Sequence, residues 1–161
     1  MTVSRPRRPV FAPDPHAWVK AEPFRAHARL LLAGADLPWP GLAVATGLSL
    51  ACLDHLLHGR FGRPVRRVSP YVAARLLRWH PDDLVAAARA WVPVRDAPHR
   101  LGALLAAGAS PDSVAAYCGL STDDLAALVD LRTPGFPQSV AWLTEAAERH
   151  WSAQGLVPVA A

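Results

Sequence analysis

The feature that most restricts how this chain folds is an internal repeat. The segment LAVATGLSLACLDHLL at 42–57 aligns without a gap with VAAYCGLSTDDLAALV at 114–129. Both segments carry the triplet Gly-Leu-Ser at their centre, and identical residues recur at a constant offset of 72. The identical pairs are Ala43/Ala115, Gly47/Gly119, Leu48/Leu120, Ser49/Ser121, Leu53/Leu125 and Leu56/Leu128. A repeat of this kind predicts two copies of one supersecondary unit.

The residue types in the repeat are those that two helices joined by a short turn require. A small residue, Ala43, allows the second helix to pass close to the first. Gly47 tolerates the left-handed backbone conformation of the turn, and Leu48 then fills the core beneath it. Ser49 is a good N-cap for the second helix. The second copy offers the same residue at each position, so the pattern predicts two helix-turn-helix units.

The rest of the chain also has a helical pattern. Alanine and leucine dominate, and β-branched residues other than valine are scarce. We therefore predict an all-α fold with two tandem helix-turn-helix units, each of about four helices. The predicted division is a flexible basic arm at 1–15, an N-terminal unit at 16–81, a connector at 82–97 and a C-terminal unit at 98–161.

Proline, glycine and serine residues predict where individual helices begin and end. Pro23 suits the first turn of a helix for which Gly34 is the expected stop. The arginine-rich segment 60–68 is predicted to be a loop. Ser69 and Pro70 then suit the N-cap and first position of the next helix, and the last helix is expected at about 138–153.

The charge is divided unequally between the two halves. Residues 1–81 contain twelve Arg or Lys and four Asp or Glu, a net charge of +8, whereas 82–161 contain five and nine, a net charge of −4. This division predicts a polyanionic partner for the first half. Lys20 is the only lysine, and all other basic residues are arginines. Arginine binds phosphate and guanine well, which favours a nucleic-acid partner. A GC-rich genome also produces an excess of arginine.

These features predict a site for duplex DNA in the first unit. The second helix of that unit would lie in the major groove, and the arginines of the following loop and of the arm would bind phosphates. Leu50 and Ala51 are poor hydrogen-bonding residues, so we expect base readout to be short or degenerate. The predicted site residues are Ser49, Leu50, Ala51, His55, His58, Arg60, Arg63, Arg66 and Arg67, with Arg5, Arg7 and Arg8 of the arm.

The second unit has the opposite charge where it would meet DNA. Its second helix opens with Asp123 and Asp124, Asp130 follows that helix, and Asp112 lies in the helix before it. Carboxylates there would repel phosphate. We expect this unit to be structural, to dimerise or to bind a protein partner.

Other chemistries have little support in the sequence. Cys52, His55 and His58 resemble metal ligands, but i, i+3, i+6 spacing separates them around a helix, and no fourth ligand is apparent. Two cysteines provide no disulfide framework, and there is no phosphate-binding glycine loop or membrane-length apolar run. We expect a non-enzymatic protein without cofactor or metal, located in the cytoplasm at the nucleoid.

Three stretches of the sequence also carry a family resemblance. The run AEPFRAHARLLLAGADLPWPGLAVATGLSLACLDHLLHG, continued by RPVRRVSPYVAARLL and then by RLGALLAAGASPDSVAAYCGLS, resembles tandem helix-turn-helix proteins of actinobacteria and their phages over residues 20–151. The resemblance implies that the first unit contacts DNA and that Arg66 and Arg67 correspond to the family's paired arginines before the fourth helix.

Two functions follow from these patterns. The first is a transcriptional regulator or nucleoid-associated protein that binds double-stranded DNA. The alternative is an adaptor that uses both units to bind transcription machinery or another protein. A homodimer is compatible with either function.

Overall fold

The computed structural model describes residues 17–155, and this part of the chain is mostly helical. Its elements are β1 (Val19–Lys20), α1 (Ala21–Ala35), α2 (Trp39–Thr46), α3 (Leu50–His58), β2 (Arg67–Val68), α4 (Pro70–Leu77), α5 (Pro81–Arg89), β3 (Trp91–Pro93), α6 (Ala97–Ala106), α7 (Pro111–Cys118), α8 (Thr122–Val129), β4 (Gly135–Pro137) and α9 (Gln138–Ala153). The predicted all-α class is confirmed in outline, with two small antiparallel sheets in addition. None of the described helices is long and apolar enough to cross a membrane.

The two sheets join segments that are distant in the sequence. Strand β1 pairs with β2, which ties the start of α1 to the segment before α4. Strand β3 pairs with β4, which brings the chain before α6 against the start of α9. The sequence did not predict these strands, because each is only two or three residues long and lacks a recognisable alternation.

Helix α1 continues past Gly34, so the predicted stop at that residue is wrong. The last helical residue is Ala35, and Asp36 is the C-cap in the left-handed conformation with φ 48°. The Leu37 N–H donates to the Leu32 carbonyl oxygen at 3.2 Å. Leu37 is buried, and its apolar contact favours this ending. Gly34 instead faces α5, where a Cβ would lie 3.8 Å from Pro81 Cβ.

Helices α2 and α3 are joined by the predicted short turn, which has three residues. Gly47 has φ 68° and ψ 27°, and the Leu48 N–H donates to the Ala43 carbonyl oxygen at 2.9 Å. The Ser49 hydroxyl oxygen accepts from the Cys52 N–H at 3.2 Å and caps α3. The local predictions for the turn and the cap are therefore confirmed.

Helices α7 and α8 repeat this local geometry. Gly119 has φ 67° and ψ 30°, and the Leu120 N–H donates to the Ala115 carbonyl oxygen at 2.9 Å. The Ser121 hydroxyl oxygen accepts from the Asp124 N–H at 3.0 Å. The sequence repeat thus corresponds to two helix pairs with nearly the same turn.

Helix α9 connects the two halves of the described chain. It packs on α2 and α5 in the first half and on α6 and α7 in the second. The buried side chains form two clusters: the first core includes Leu31, Leu42, Leu53 and Leu76, and the second core includes Leu101, Leu104, Leu125 and Leu143. Trp142 contacts the first core and meets Trp79 edge to face at 6.2 Å between ring centroids, whereas Trp151 belongs to the second core. Trp151 meets Tyr117 edge to face at 5.3 Å between ring centroids.

The segment 82–97, predicted to be a connector, is structured. It contains most of α5, which packs on α1 and α9, and strand β3. Leu84 of α5 is fully buried in the first core. The first core therefore extends beyond residue 81.

Gly41 provides a test of the packing around α2. A Cβ at Gly41 would lie 2.7 Å from Leu37 Cδ1 and 3.3 Å from Leu143 Cδ2, whereas a Cβ at Gly102 in α6 would meet nothing within 4 Å. We expect Gly41→Ala to lower the free energy of unfolding by about 1–3 kcal/mol through overpacking. Gly102→Ala should raise it by roughly 0.5–1 kcal/mol, because alanine is the better helix former.

Urea denaturation of both variants measures this difference. A Gly41→Ala protein as stable as the Gly102→Ala protein would show that Gly41 is not closely packed against Leu37 and Leu143.

Candidate nucleic-acid interface

Helix α3 presents a small and largely uncharged surface to solvent. Ala51 is exposed, but Leu50 is half-buried against the first core, so it contributes to packing. Leu53, Leu56 and Leu57 form the buried side of the helix. The exposed side therefore offers few groups that could distinguish one base pair from another.

The two histidines of α3 have different surroundings. His58 Nδ1 lies 2.7 Å from Asp54 Oδ1 one turn earlier, and its ring meets Trp39 edge to face at 6.1 Å. His55 is half-buried beside the segment that follows α3. Of these two predicted site residues, His58 is thus engaged by a carboxylate.

A narrow turn at 60–63 follows α3 directly. The Arg60 N–H donates to the Arg63 carbonyl oxygen at 2.8 Å, and the Arg63 N–H donates back at 3.1 Å. The two central residues, Phe61 and Gly62, both have positive φ, 51° and 72°. Gly59 must be glycine, because a Cβ there would collide with the Arg63 carbonyl group. The turn holds Arg60 and Arg63 at the two ends of one short hairpin.

The end of the predicted loop is a strand, which corrects the expectation for 67–68. Arg67 lies directly opposite Lys20 in the β1–β2 pair, and both residues are exposed. Like charges opposite each other in a sheet repel, so this pairing costs stability in the free protein. The Arg66 carbonyl oxygen accepts from the Ala21 N–H at 3.0 Å, which fixes the backbone beside this pair.

A groove brings three of the predicted site residues together. His55 of α3, Arg60 of the turn and Arg67 of β2 line it, with Trp18 at the same groove. Apolar side chains, including Leu56, complete the lining. Arg63 and Arg66 are exposed residues outside the groove, and Arg5, Arg7 and Arg8 lie outside the described residues.

The segment that follows α3 carries charge of one sign. Residues 59–78 contain six arginines and no carboxylate. Within the described chain, the four loop arginines form no salt bridge with Asp or Glu. An exposed cluster of unpaired cations is the electrostatic signature of a surface that binds polyanions.

Helix α4 adds a contact that the sequence did not predict. The Arg75 guanidinium lies 5.1 Å from the centre of the Tyr71 ring and close to Gly47 in the turn before α3. The Tyr71 hydroxyl donates to the Gly47 carbonyl oxygen at 3.5 Å. Arg75 and Tyr71 therefore stand beside the start of α3. Their positions depend on how α4 packs, which the local sequence does not reveal.

Two further arginines are structural. Arg25 donates from Nε to the Leu56 carbonyl oxygen at 2.7 Å and from Nη2 to the Val65 carbonyl oxygen at 2.6 Å. Arg29 donates to the Leu57 carbonyl oxygen at 3.4 Å. Both place positive charge at the C-terminal end of α3, where carbonyl groups lack helical partners. Arg25 in addition holds the segment 59–66 against the helix.

The second helix pair carries acidic groups in the corresponding position. Asp123 and Asp124 are exposed in the first turn of α8, and the Ser121 hydroxyl donates to the Asp124 carboxylate at 2.7 Å. Carboxylates near a helix N-terminus stabilise the helix. Their presence here has a structural explanation and makes this surface unfavourable for phosphate.

Neither cysteine has the environment of a reactive thiol. Burial raises the pKa of the Cys52 thiol, and it raises the pKa of Cys118 to about 12. Both thiols stay protonated at neutral pH, so they are poor nucleophiles. Among residues 17–155, no three His, Cys, Asp or Glu side chains come close enough to hold a metal ion.

Comparison of the chain with protein-family models, curated proteins and solved structures found no match. Any function is therefore inferred from the geometry and charge of the surface formed by α3, the turn at 60–63 and the β1–β2 pair. We call this surface the basic face.

The structural and the free arginines should respond differently to the same substitution. Arg25→Met keeps an apolar stem but removes two charge-assisted hydrogen bonds, so we expect the free energy of unfolding to fall by about 2–3 kcal/mol. Arg63→Met should change it by less than about 0.5 kcal/mol, because Arg63 is exposed and forms no salt bridge.

Thermal or urea unfolding of both variants checks this expectation. Equal stability of the two proteins would mean that Arg25 does not fasten the segment 59–66 to α3.

Proposed function

We propose that the chain is a non-enzymatic DNA-binding protein that contacts duplex DNA with the basic face. The observation that carries the proposal is that Arg60, Arg63, Arg66 and Arg67 are exposed without a salt-bridge partner in the described chain, together with Lys20 opposite Arg67. A folded protein gains nothing from placing these cations side by side. A polyanion with regularly spaced phosphates would relieve the repulsion and release counterions.

The local geometry of α2 and α3 supports a helix-turn-helix interpretation. The left-handed glycine, the buried leucine after it and the serine cap are the parts such a unit needs. On this proposal, α3 lies in the major groove, and the N-terminal unit at 16–81 contacts DNA. The resemblance to tandem helix-turn-helix proteins of actinobacteria and their phages points in the same direction.

Phosphate contacts would supply most of the affinity. Arg60, Arg63, Arg66 and Arg67 are exposed and have the reach to bind phosphates, which requires no sequence information. Arg5, Arg7 and Arg8 of the predicted arm would add to this term. Because α3 offers few base-reading groups, sequence preference would come mainly from DNA shape. This suits a nucleoid-associated protein or a regulator of relaxed specificity.

The second helix pair would have a different task. Its exposed acidic residues, Asp123 and Asp124 above all, disfavour phosphate. We assign it to protein contacts, either with a second copy of the chain or with another partner. The adaptor function becomes the better account if the full chain fails to bind duplex DNA at low salt.

Salt dependence measures how many phosphates the basic face neutralises. If four arginines engage, the slope of log K against log salt should be about −4, since each phosphate contributes about −0.9. Replacing Arg66 and Arg67 together with alanine should flatten the slope by up to about 2 and weaken binding to all duplex sequences alike.

The matched control replaces Arg89 and Arg95, which are exposed, lie outside the basic face and form no salt bridge in the described chain. Fluorescence anisotropy with a labelled duplex measures the affinity of both double variants as a function of salt concentration. An unchanged slope for the Arg66 and Arg67 variant, or an equal change in the control, would remove these residues from the interface.

Asp54 provides a second test, because it is the carboxylate of α3. If α3 approaches phosphates, Asp54→Asn should raise affinity about threefold at low salt, since it removes repulsion at a distance of several ångströms. Asp82→Asn in α5 changes the net charge equally and should leave affinity within the error of the measurement. Equal gains from both variants would mean that only net charge matters and that α3 does not face DNA.

A further inference from the structure

Phe61 is the most exposed large apolar side chain among the described residues. Its accessible fraction is 90%, and it lies at the tip of the turn at 60–63. No other large hydrophobic side chain in the segment 59–66 is exposed; Val65 is half-buried. The ring therefore protrudes from a hydrophilic surface and packs against nothing in the first core.

The backbone at Phe61 is also unfavourable for this residue. A φ of 51° at the first central position of a two-residue turn favours Asn, Asp or Gly, whereas a bulky side chain is an outlier there. Gly62 at the second central position is the residue such a turn prefers. Strained positions of this kind concentrate where a protein contacts a partner.

The neighbours of Phe61 indicate the chemistry of that partner. The Arg60 guanidinium lies over the ring, 5.1 Å from its centre, and Arg63 stands at the other end of the hairpin. A short hairpin with an apolar ring at its tip and an arginine at each end matches a surface that is apolar in the middle and anionic on both sides. The stacked base pairs of duplex DNA, bordered by phosphates, have this arrangement.

The position of the turn relative to α3 fits the same partner. Helix α3 ends at His58, and Gly59 is the one residue between it and the turn. A helix in the major groove is bordered by a phosphate backbone, and the minor groove lies beyond that backbone. On the proposed docking, a hairpin that leaves the end of α3 would lie beside that backbone and within reach of the minor groove.

We propose that Phe61 is a wedge that enters the minor groove and partly unstacks one base-pair step while Arg60 and Arg63 bind the phosphates on either side. This inference rests on the proposed DNA-binding function and adds a contact residue to it. Apolar wedges of this type kink the duplex by about 20–90°. The bound DNA should therefore be bent.

The test uses Phe61→Asn in the full chain. Asparagine accepts positive φ, so this variant should be at least as stable as the original protein, and any loss of binding then has no origin in unfolding. Leu131→Asn is the matched control, because Leu131 also has positive φ, 58°, and is 69% exposed but lies in the acidic half.

We expect Phe61→Asn to weaken binding to a duplex of about 25 base pairs by roughly tenfold, the scale of losing one aromatic stacking contact. The salt slope should stay unchanged because no charge is removed. Energy transfer between dyes at the two ends of the duplex should show a shortened end-to-end distance with the original protein and with Leu131→Asn, but not with Phe61→Asn.

The outcomes separate this inference from the function on which it rests. If the original protein does not bind the duplex, the DNA-binding function fails, and the wedge fails with it. If the original protein binds and Phe61→Asn binds equally well, only the wedge is overturned. Weaker binding with an unchanged end-to-end distance would also overturn it, because the ring would then contact DNA without entering the stack.

Discussion

The packing of α9 across α2 is the interaction on which the rest of the arrangement depends. Most of α2 is buried, with Leu42 and Ala43 in the first core and Gly41 close to Leu143 of α9. Because α2 is enclosed in this way, it has little surface for another molecule. The left-handed turn at Gly47 then directs α3 away from α2 and leaves one side of α3 free beside the arginine-rich segment. The same helix α9 carries part of the second core, so the two halves support each other.

Local features of the fold were predictable from sequence because their causes are local. A glycine in the left-handed conformation and a serine that accepts from a backbone N–H three residues later need only neighbouring residues, and both copies of the repeat have them. Gly34 shows the limit of such reasoning. A glycine at this position is typical of a helix end. Burial of Leu37 instead makes Asp36 the C-cap of α1, and only tertiary packing decides between these two helix ends. The short strands had no local signal at all, because each is stabilised by a partner far away in the chain.

The candidate site was predictable in its charge and less so in its geometry. The sequence alone identifies the arginines at 60, 63, 66 and 67 as candidates for binding a polyanion. Only the fold shows that His55, Arg60 and Arg67 line one groove. The sequence cannot distinguish them from Arg25, which is occupied by the carbonyl groups of Leu56 and Val65. Lys20 gains its importance only through pairing with β2. The sequence therefore shows how many cations the chain has. The fold decides which of them are exposed and free to bind a polyanion.

The most direct test of the central claim, that the basic face contacts DNA and the second helix pair does not, is a residue-level map of the complex. Amide NMR spectra of the full, uniformly labelled chain would be recorded with increasing amounts of a short duplex at low salt. We predict that the largest shifts fall at Lys20, at the start of α3 and at 60–67, while the amides of Thr122–Val129 stay unchanged. Shifts centred on Thr122–Val129, or spread evenly over both helix pairs, would contradict this account.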